Sequence, residues 1–99
     1  LGRQQVVLLE RAGSLDANAV RQAAASEPGN VEAQMQAADL DLMGGHVEDA
    51  FARLIDTVKV TTDEDRNAVR ERLLELFEMV GSSDPRVRTA RSQLMSALF

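Results

Sequence analysis

Acidic side chains and one histidine are the groups in this sequence that could bind a metal ion. Four carboxylates lie close together along the chain, at Asp39, Asp41, Glu48 and Asp49. At helical spacing they fall on different faces, and they lack the loop pattern of a calcium site, so we expect a solvated acidic face. His46 lies in a Gly-rich turn without a cysteine or a carboxylate cluster at metal-ligand spacing, which predicts a turn residue.

The serine residues show no arrangement typical of nucleophilic catalysis. None lies in a nucleophile elbow, and no glycine-rich phosphate-binding loop joins a strand to a helix. The chain contains no cysteine, which excludes disulfides, thiolate nucleophiles and thiolate metal sites from this segment. We therefore predict no catalytic, cofactor-binding or metal-binding residue and expect that the chain is not an enzyme.

Composition and charge restrict the remaining classes of function. The 99 residues carry a formal net charge of −5, which argues against nucleic-acid binding because affinity for phosphate backbones comes mainly from Lys and Arg. No apolar run approaches the roughly 20 residues of a membrane span, and the first residues lack the layout of a signal peptide. We expect a soluble, cytoplasmic segment with neither nucleic-acid nor membrane partners.

Apolar residues recur at helical spacing along the chain. The clearest stripe consists of Val47, Ala50, Phe51, Leu54, Ile55 and Val58. Weaker stripes predict one helix that ends at Gly13, one over residues 16–26, and others that follow Asn30, Thr62 and Asp84. No segment shows sustained alternation of apolar and polar residues. The predicted fold class is therefore all-α, with about six helices.

Residues at the predicted helix ends carry capping signals. The second, third and sixth helices are preceded by residues able to cap them, namely Ser14 or Asp16, Asn30, and Asp84 followed by Pro85. Thr62 and Asp65 resemble a capping box at the start of the fifth helix, with Asp in place of Glu. Gly81 is expected to end that helix.

The short connections between these helices favour antiparallel hairpins. An amphipathic helix cannot hide its apolar stripe alone, so stacked hairpins would share one core. We predict a single domain over residues 1–99, with hairpins at about 3–27, 30–60 and 63–99. The chain opens without a capping residue, and we therefore expect a fragment of a longer protein.

Residues 30–58 resemble one tetratricopeptide repeat. Small side chains at Ala38 and Ala50 would let the two helices approach, and Gly45 would permit the tight turn between them. A similar turn begins at Gly13, 32 residues before Gly45, which is close to the usual period of the repeat. The resemblance implies a helical scaffold that binds other proteins.

The first helix of this repeat departs from the family pattern. Gln34 and Asp41 stand where the family commonly has large aromatic residues. Some tetratricopeptide domains clamp an acidic chain end with basic residues of the groove-forming helices. This sequence places Gln34, Asp39 and Asp41 there instead, and since carboxylates repel an acidic tail we predict no such clamp.

The tail of the chain is similar to a more specific family. Residues 72–81 read RLLELFEMVG, residues 84–88 read DPRVR, and residues 94–99 read LMSALF. This ending resembles the C-terminal tetratricopeptide-like domain of co-chaperedoxins, the YbbN-type thioredoxin-like proteins, over about residues 15–99. The resemblance implies a bacterial cytoplasmic protein that holds unfolding clients and passes them to chaperones, notably the chaperonin. The thioredoxin-like domain is absent from this sequence.

The last predicted helix carries the candidate partner-binding residues. These are Arg88, Arg91, Leu94, Met95, Leu98 and Phe99. A helix with basic and apolar faces can insert into a groove on a partner. Alternatively, the arginines only complement the helix dipole and keep the surface soluble, and Leu98 and Phe99 only cap the last hairpin. The methionines either fill gaps in the core or form an adaptable surface for clients, and Met35 and Met95 are the two we expect to be exposed because they lie off the densest stripes.

Two functions from different classes remain open. In the first, the domain is a protein-interaction module that binds chaperonin, unfolded clients or both. In the second, it is a structural element that packs on its own thioredoxin-like domain or forms a homodimer, for which the Ala-rich faces near the N-terminus are suited. Neither function requires a cofactor.

Overall fold

The computed structural model describes residues 3–13 and 15–99, which contain helices and no strand. The helices are α1 (Arg3–Gly13), α2 (Ala17–Ser26), α3 (Val31–Met43), α4 (Val47–Lys59), α5 (Asp63–Val80) and α6 (Pro85–Leu98). The predicted all-α class with six helices is confirmed. No helix in this part of the chain is long and apolar enough to cross a membrane.

Local hydrogen bonds explain where three of the helices begin. The Asp16 carboxylate accepts from the backbone N–H groups of Asn18 and Ala19 at the start of α2. The Asn30 side chain accepts from the N–H of Ala33 at the start of α3. The Asp84 carboxylate accepts from the N–H of Arg86, and Pro85 occupies the first turn of α6. These three predicted caps are confirmed, whereas Ser14, the alternative cap of α2, lies outside the described residues.

The predicted capping box at the start of α5 is wrong. The side chain of Thr62 makes no capping hydrogen bond. The next residue, Asp63, has a positive φ of 53°, so the chain enters α5 through a left-handed residue. A capping box needs helical residues directly after the cap, because only then does the Thr hydroxyl reach the first free N–H groups. Gly81 ends α5 with φ 115°, as predicted.

The two central helices, α3 and α4, hold the structure together. α3 packs against α1, α2, α4 and α5, while α4 also packs against α5 and α6. Ala38 and Ala50 are fully buried between them, in agreement with the close approach expected from their size. The main core lies around α4, α5 and α6, and its largest fully buried apolar residues are Phe77, Leu54, Leu73, Leu76, Val58, Val69 and Val87. A smaller cluster joins α2 to α3.

Candidate protein-interaction surface

α6 has one buried and one exposed face. Val87, Ala90 and Leu94 are buried and join the main core. Leu98 is half-buried and packs against the same core. Leu94 and Leu98 were both predicted to contact a partner. Because the core holds the side chain of Leu94, that residue is not on the surface assigned to it.

Three of the other four predicted partner-binding residues lie on the exposed face of α6, and the fourth, Phe99, directly follows this helix. Arg88, Arg91, Met95 and Phe99 follow one another at i, i+3, i+7 and i+11, a spacing that places them in one row along a helix. The exposed fractions of Met95 and Phe99 are 57% and 95%. The N–H of Phe99 donates to the carbonyl of Met95, which continues the helical turn to the last residue. We call these four residues the outer stripe of α6.

The side chain of Arg91 contacts the buried ring of Phe77. Its guanidinium carbon lies 5.7 Å from the centroid of the Phe77 ring, within the range of a cation–π contact. The Phe77 ring is itself fixed by an edge-to-face contact with Phe51, at a centroid distance of 4.9 Å and an interplanar angle of 85°. Two buried rings therefore position the exposed arginine.

The outer stripe carries two arginines that lie outside the ion pairs of the described residues. Among the described residues, Arg88 and Arg91 form no ion pair, although both are exposed. The other cations whose side chains the structure describes as exposed are paired, as Arg21–Asp41, Lys59–Asp56 and Arg86–Asp84. Hydrogen bonds from the side chain and then the backbone of Arg86 hold the pKa of Asp84 below its ordinary value. The outer stripe of α6 is thus positively charged, although the chain has a net charge of −5.

Asp39 is buried, with an exposed fraction of 1%, so the solvated position expected for it is wrong. Arg11 of α1 donates to both of its carboxylate oxygens, at 2.8 and 3.0 Å, and Arg72 of α5 donates to Oδ2 at 2.8 Å. Arg11 also donates to Glu75 at 2.6 Å. Burial lowers the pKa of Arg11, but the hydrogen bonds to Asp39 and Glu75 outweigh it and raise that pKa. Asp39 therefore links three helices.

Asp41 has the same role on the opposite side of α3. It is buried and accepts from Arg21 of α2 at 2.8 Å and from Arg53 of α4 at 3.1 Å. Gln34 is buried nearby, where it donates to the carbonyl of Ala24 at 2.8 Å and accepts from Arg53 at 3.2 Å. The solvated position expected for Asp41 is wrong because two arginines compensate its buried charge. Glu48 and Asp49 are exposed, as expected.

The helices α1, α3 and α5 border a cavity of about 620 Å³. Its lining residues are Arg11, Leu15, Val31, Glu32, Met35, Gln36, Asp39 and Arg72. Asp39 forms ion pairs with both Arg11 and Arg72. The cavity therefore offers neither the acidic surface expected from the sequence nor a basic surface without compensating charge.

Met35 packs against the core, and its predicted exposure is wrong. Met43 is exposed instead, with a fraction of 44%.

His46 precedes α4 in the turn, as expected, and its ring makes no capping hydrogen bond. The Nδ1 atom of His46 lies 3.9 Å from Oδ2 of Asp49. Across residues 3–13 and 15–99, no group of three or more His, Cys, Asp or Glu side chains is placed to hold a metal ion. The candidate functional site among the described residues is therefore the outer stripe of α6.

Comparison with known proteins agrees with this architecture. The tetratricopeptide repeat family model matches residues 10–99. Proteins of Mycobacterium tuberculosis and Mycobacterium bovis, both described as uncharacterized, are 38% identical to the chain over 96 residues, with 97% of this chain and 31% of each relative aligned. The chain thus spans about a third of the length of the curated relatives it matches. No solved structure is significantly similar to it. On the family match, the chain belongs to the tetratricopeptide repeat family.

Proposed function

We propose that this chain is a protein-interaction module of a thioredoxin-like co-chaperone, and that it binds chaperonin and unfolding client proteins in the bacterial cytoplasm. Tetratricopeptide repeat domains generally mediate protein–protein interaction and are typically not catalytic. The co-chaperone context is supported by the resemblance of the tail. Relatives of which the chain covers 31% have length for a further domain.

The observation that carries the interaction role is the outer stripe of α6. Its apolar members, Met95 and Phe99, are exposed although the same helix buries Val87 and Leu94. Transfer of one such large side chain from water into a partner contributes about 2 kcal/mol. Exposed apolar side chains beside arginines have the composition of an interface centre, where aromatic residues, Met and Arg are enriched. The mechanism is surface complementarity, without bond making.

Substituting Met95→Ser together with Phe99→Ser should weaken binding to purified bacterial chaperonin by at least about tenfold, since both apolar anchors are lost. Biolayer interferometry with the immobilised chain measures the affinity. Because both side chains are exposed, the unfolding transition of the variant should match that of the parent chain. Deleting residues 94–99 is less informative, since it also removes the buried Leu94.

The matched control is Met43→Ser, which removes an exposed methionine at the end of α3 and outside the outer stripe. It should leave chaperonin binding unchanged. Equal affinities for the parent chain and the double variant, or an equal loss in the control, contradict the proposal.

A second candidate is the structural role, in which the domain packs on a neighbouring domain or on a second copy. The observation that favours it is the exposure of Val7 and Leu9 on α1, a helix that does not contain the outer stripe. Sedimentation velocity separates the two functions. A homodimer that is lost on Val7→Ser with Leu9→Ser, and retained on Met95→Ser with Phe99→Ser, supports the structural role.

A further inference from the structure

We infer that the outer stripe of α6 takes an acidic amphipathic segment, whose carboxylate binds Arg91 while its apolar side chains cover Met95 and Phe99. This inference rests on the proposed interaction role and adds the chemistry of the partner. The occupant is a helical segment of another protein that presents acidic and apolar side chains on one face.

The sign of the partner follows from the charges of the described residues. Arg88 and Arg91 are exposed and unpaired, while Arg86 of the same helix is neutralised by Asp84. Covering the two unpaired guanidinium groups with an uncharged surface would remove them from water without compensation, which is unfavourable. A partner with carboxylates at this position compensates them and is also attracted over a distance.

The position of Arg91 favours a carboxylate over other acceptors. Its guanidinium carbon lies over the Phe77 ring, at 5.7 Å from the centroid. A guanidinium group presents its N–H donors in a planar fork that matches the two oxygens of a carboxylate, and among the described residues no carboxylate pairs with Arg91. The contact between Phe51 and Phe77 fixes the ring on which the guanidinium group of Arg91 lies. Arg91 therefore loses little side-chain freedom when it binds a carboxylate.

The spacing along α6 sets the order of groups on the partner. Arg91, Met95 and Phe99 follow one another at intervals of four residues, which correspond to roughly 6 Å along a helix. A partner helix with a carboxylate and two apolar residues at the same interval matches all three positions. An antiparallel arrangement places the carboxylate of the partner at Arg91 and its two apolar residues over Met95 and Phe99.

The test uses two fluorescein-labelled, Ala-rich synthetic helices. The acidic peptide carries two leucines at an interval of four residues, followed by Glu four residues later, and the basic peptide has Lys in place of Glu. Fluorescence anisotropy with the full chain should show that the acidic peptide binds at least about tenfold more tightly, with a preference that falls as salt rises. Equal binding of the two peptides, or tighter binding of the basic one, overturns the inference.

Variants of the chain separate a placed guanidinium group from simple positive charge. Arg91→Lys keeps the charge but loses the planar group with its fork of N–H donors, and should reduce acidic-peptide affinity several-fold. Arg86→Gln is the matched control and should have no effect, because Asp84 already neutralises Arg86. Full affinity in Arg91→Lys overturns the carboxylate assignment. If Met95→Ser with Phe99→Ser weakens chaperonin binding but the peptides are not distinguished, only this inference fails and the proposed function stands.

Discussion

Replacement of Phe77 by Ala should lower the free energy of unfolding by about 4 kcal/mol, as expected for a large aromatic side chain removed from a close-packed core. Phe77 is fully buried, packs edge-to-face on Phe51 and makes a cation–π contact with Arg91. The substitution leaves a cavity between α4, α5 and α6 that their helical backbones cannot close. Urea unfolding followed by circular dichroism measures the loss.

Phe77→Leu is the informative companion of that variant. It keeps most of the apolar volume and should cost about 1 kcal/mol, but it removes the ring that makes the cation–π contact with Arg91. The acidic peptide should therefore bind this folded variant as weakly as it binds Arg91→Lys. A loss below about 2 kcal/mol for Phe77→Ala would show that the three helices are not packed around this ring as described.

Replacement of Asp39 by Asn should lower the free energy of unfolding by about 3 kcal/mol, the loss expected when one partner of a buried ion pair is removed. The carboxylate accepts three hydrogen bonds from Arg11 and Arg72. An amide keeps the shape but carries no charge, and its NH₂ group cannot accept a hydrogen bond from a guanidinium. The link between α1, α3 and α5 is therefore weakened even though the volume is preserved.

Glu75→Gln is the matched control for Asp39→Asn, because Glu75 pairs with the same Arg11 but is partly exposed. Because water hydrates the groups at this partly exposed position, Glu75→Gln should lower the free energy of unfolding by less than about 1 kcal/mol. Thermal unfolding of both variants makes the comparison. Similar small losses at the two positions would contradict the central place given to the buried carboxylate.

Features that depend on a few consecutive residues could be predicted from the sequence. The caps Asp16, Asn30 and Asp84 satisfy backbone N–H groups two or three residues away, so their residue types and positions sufficed. The same local argument failed at Thr62, where the left-handed conformation of Asp63 has no clear signal in the residue types.

The buried carboxylates could not be predicted because their partners lie far away in the sequence. Arg11 and Arg72 are separated from Asp39 by 28 and 33 residues, a pairing that only the stacking of the helices creates. One signal was available for Asp41, which follows Ala33 and Ala37 at intervals of four residues and so lies on the same apolar stripe of α3. A charged residue on that stripe indicates a buried charge that needs compensating partners.

The set of partner-binding residues predicted from the sequence combines two faces of α6. Leu94 follows Val87 and Ala90 at helical spacing and belongs to the buried stripe, whereas Met95 and Phe99 lie on the exposed side. The positions in the sequence allow this division once the core-facing side of the helix is known. The contact of Arg91 with Phe77 depends on the packing of α6 against its neighbours and has no sequence signal.

Hydrogen–deuterium exchange of the chain with and without purified chaperonin tests the interaction role most directly. The proposed function predicts slower exchange of backbone amides in residues 88–99 on binding, with smaller changes in α1 and α2. Protection confined to α1, α2 and α3, or no change anywhere at saturating chaperonin, would contradict the role given to the outer stripe of α6.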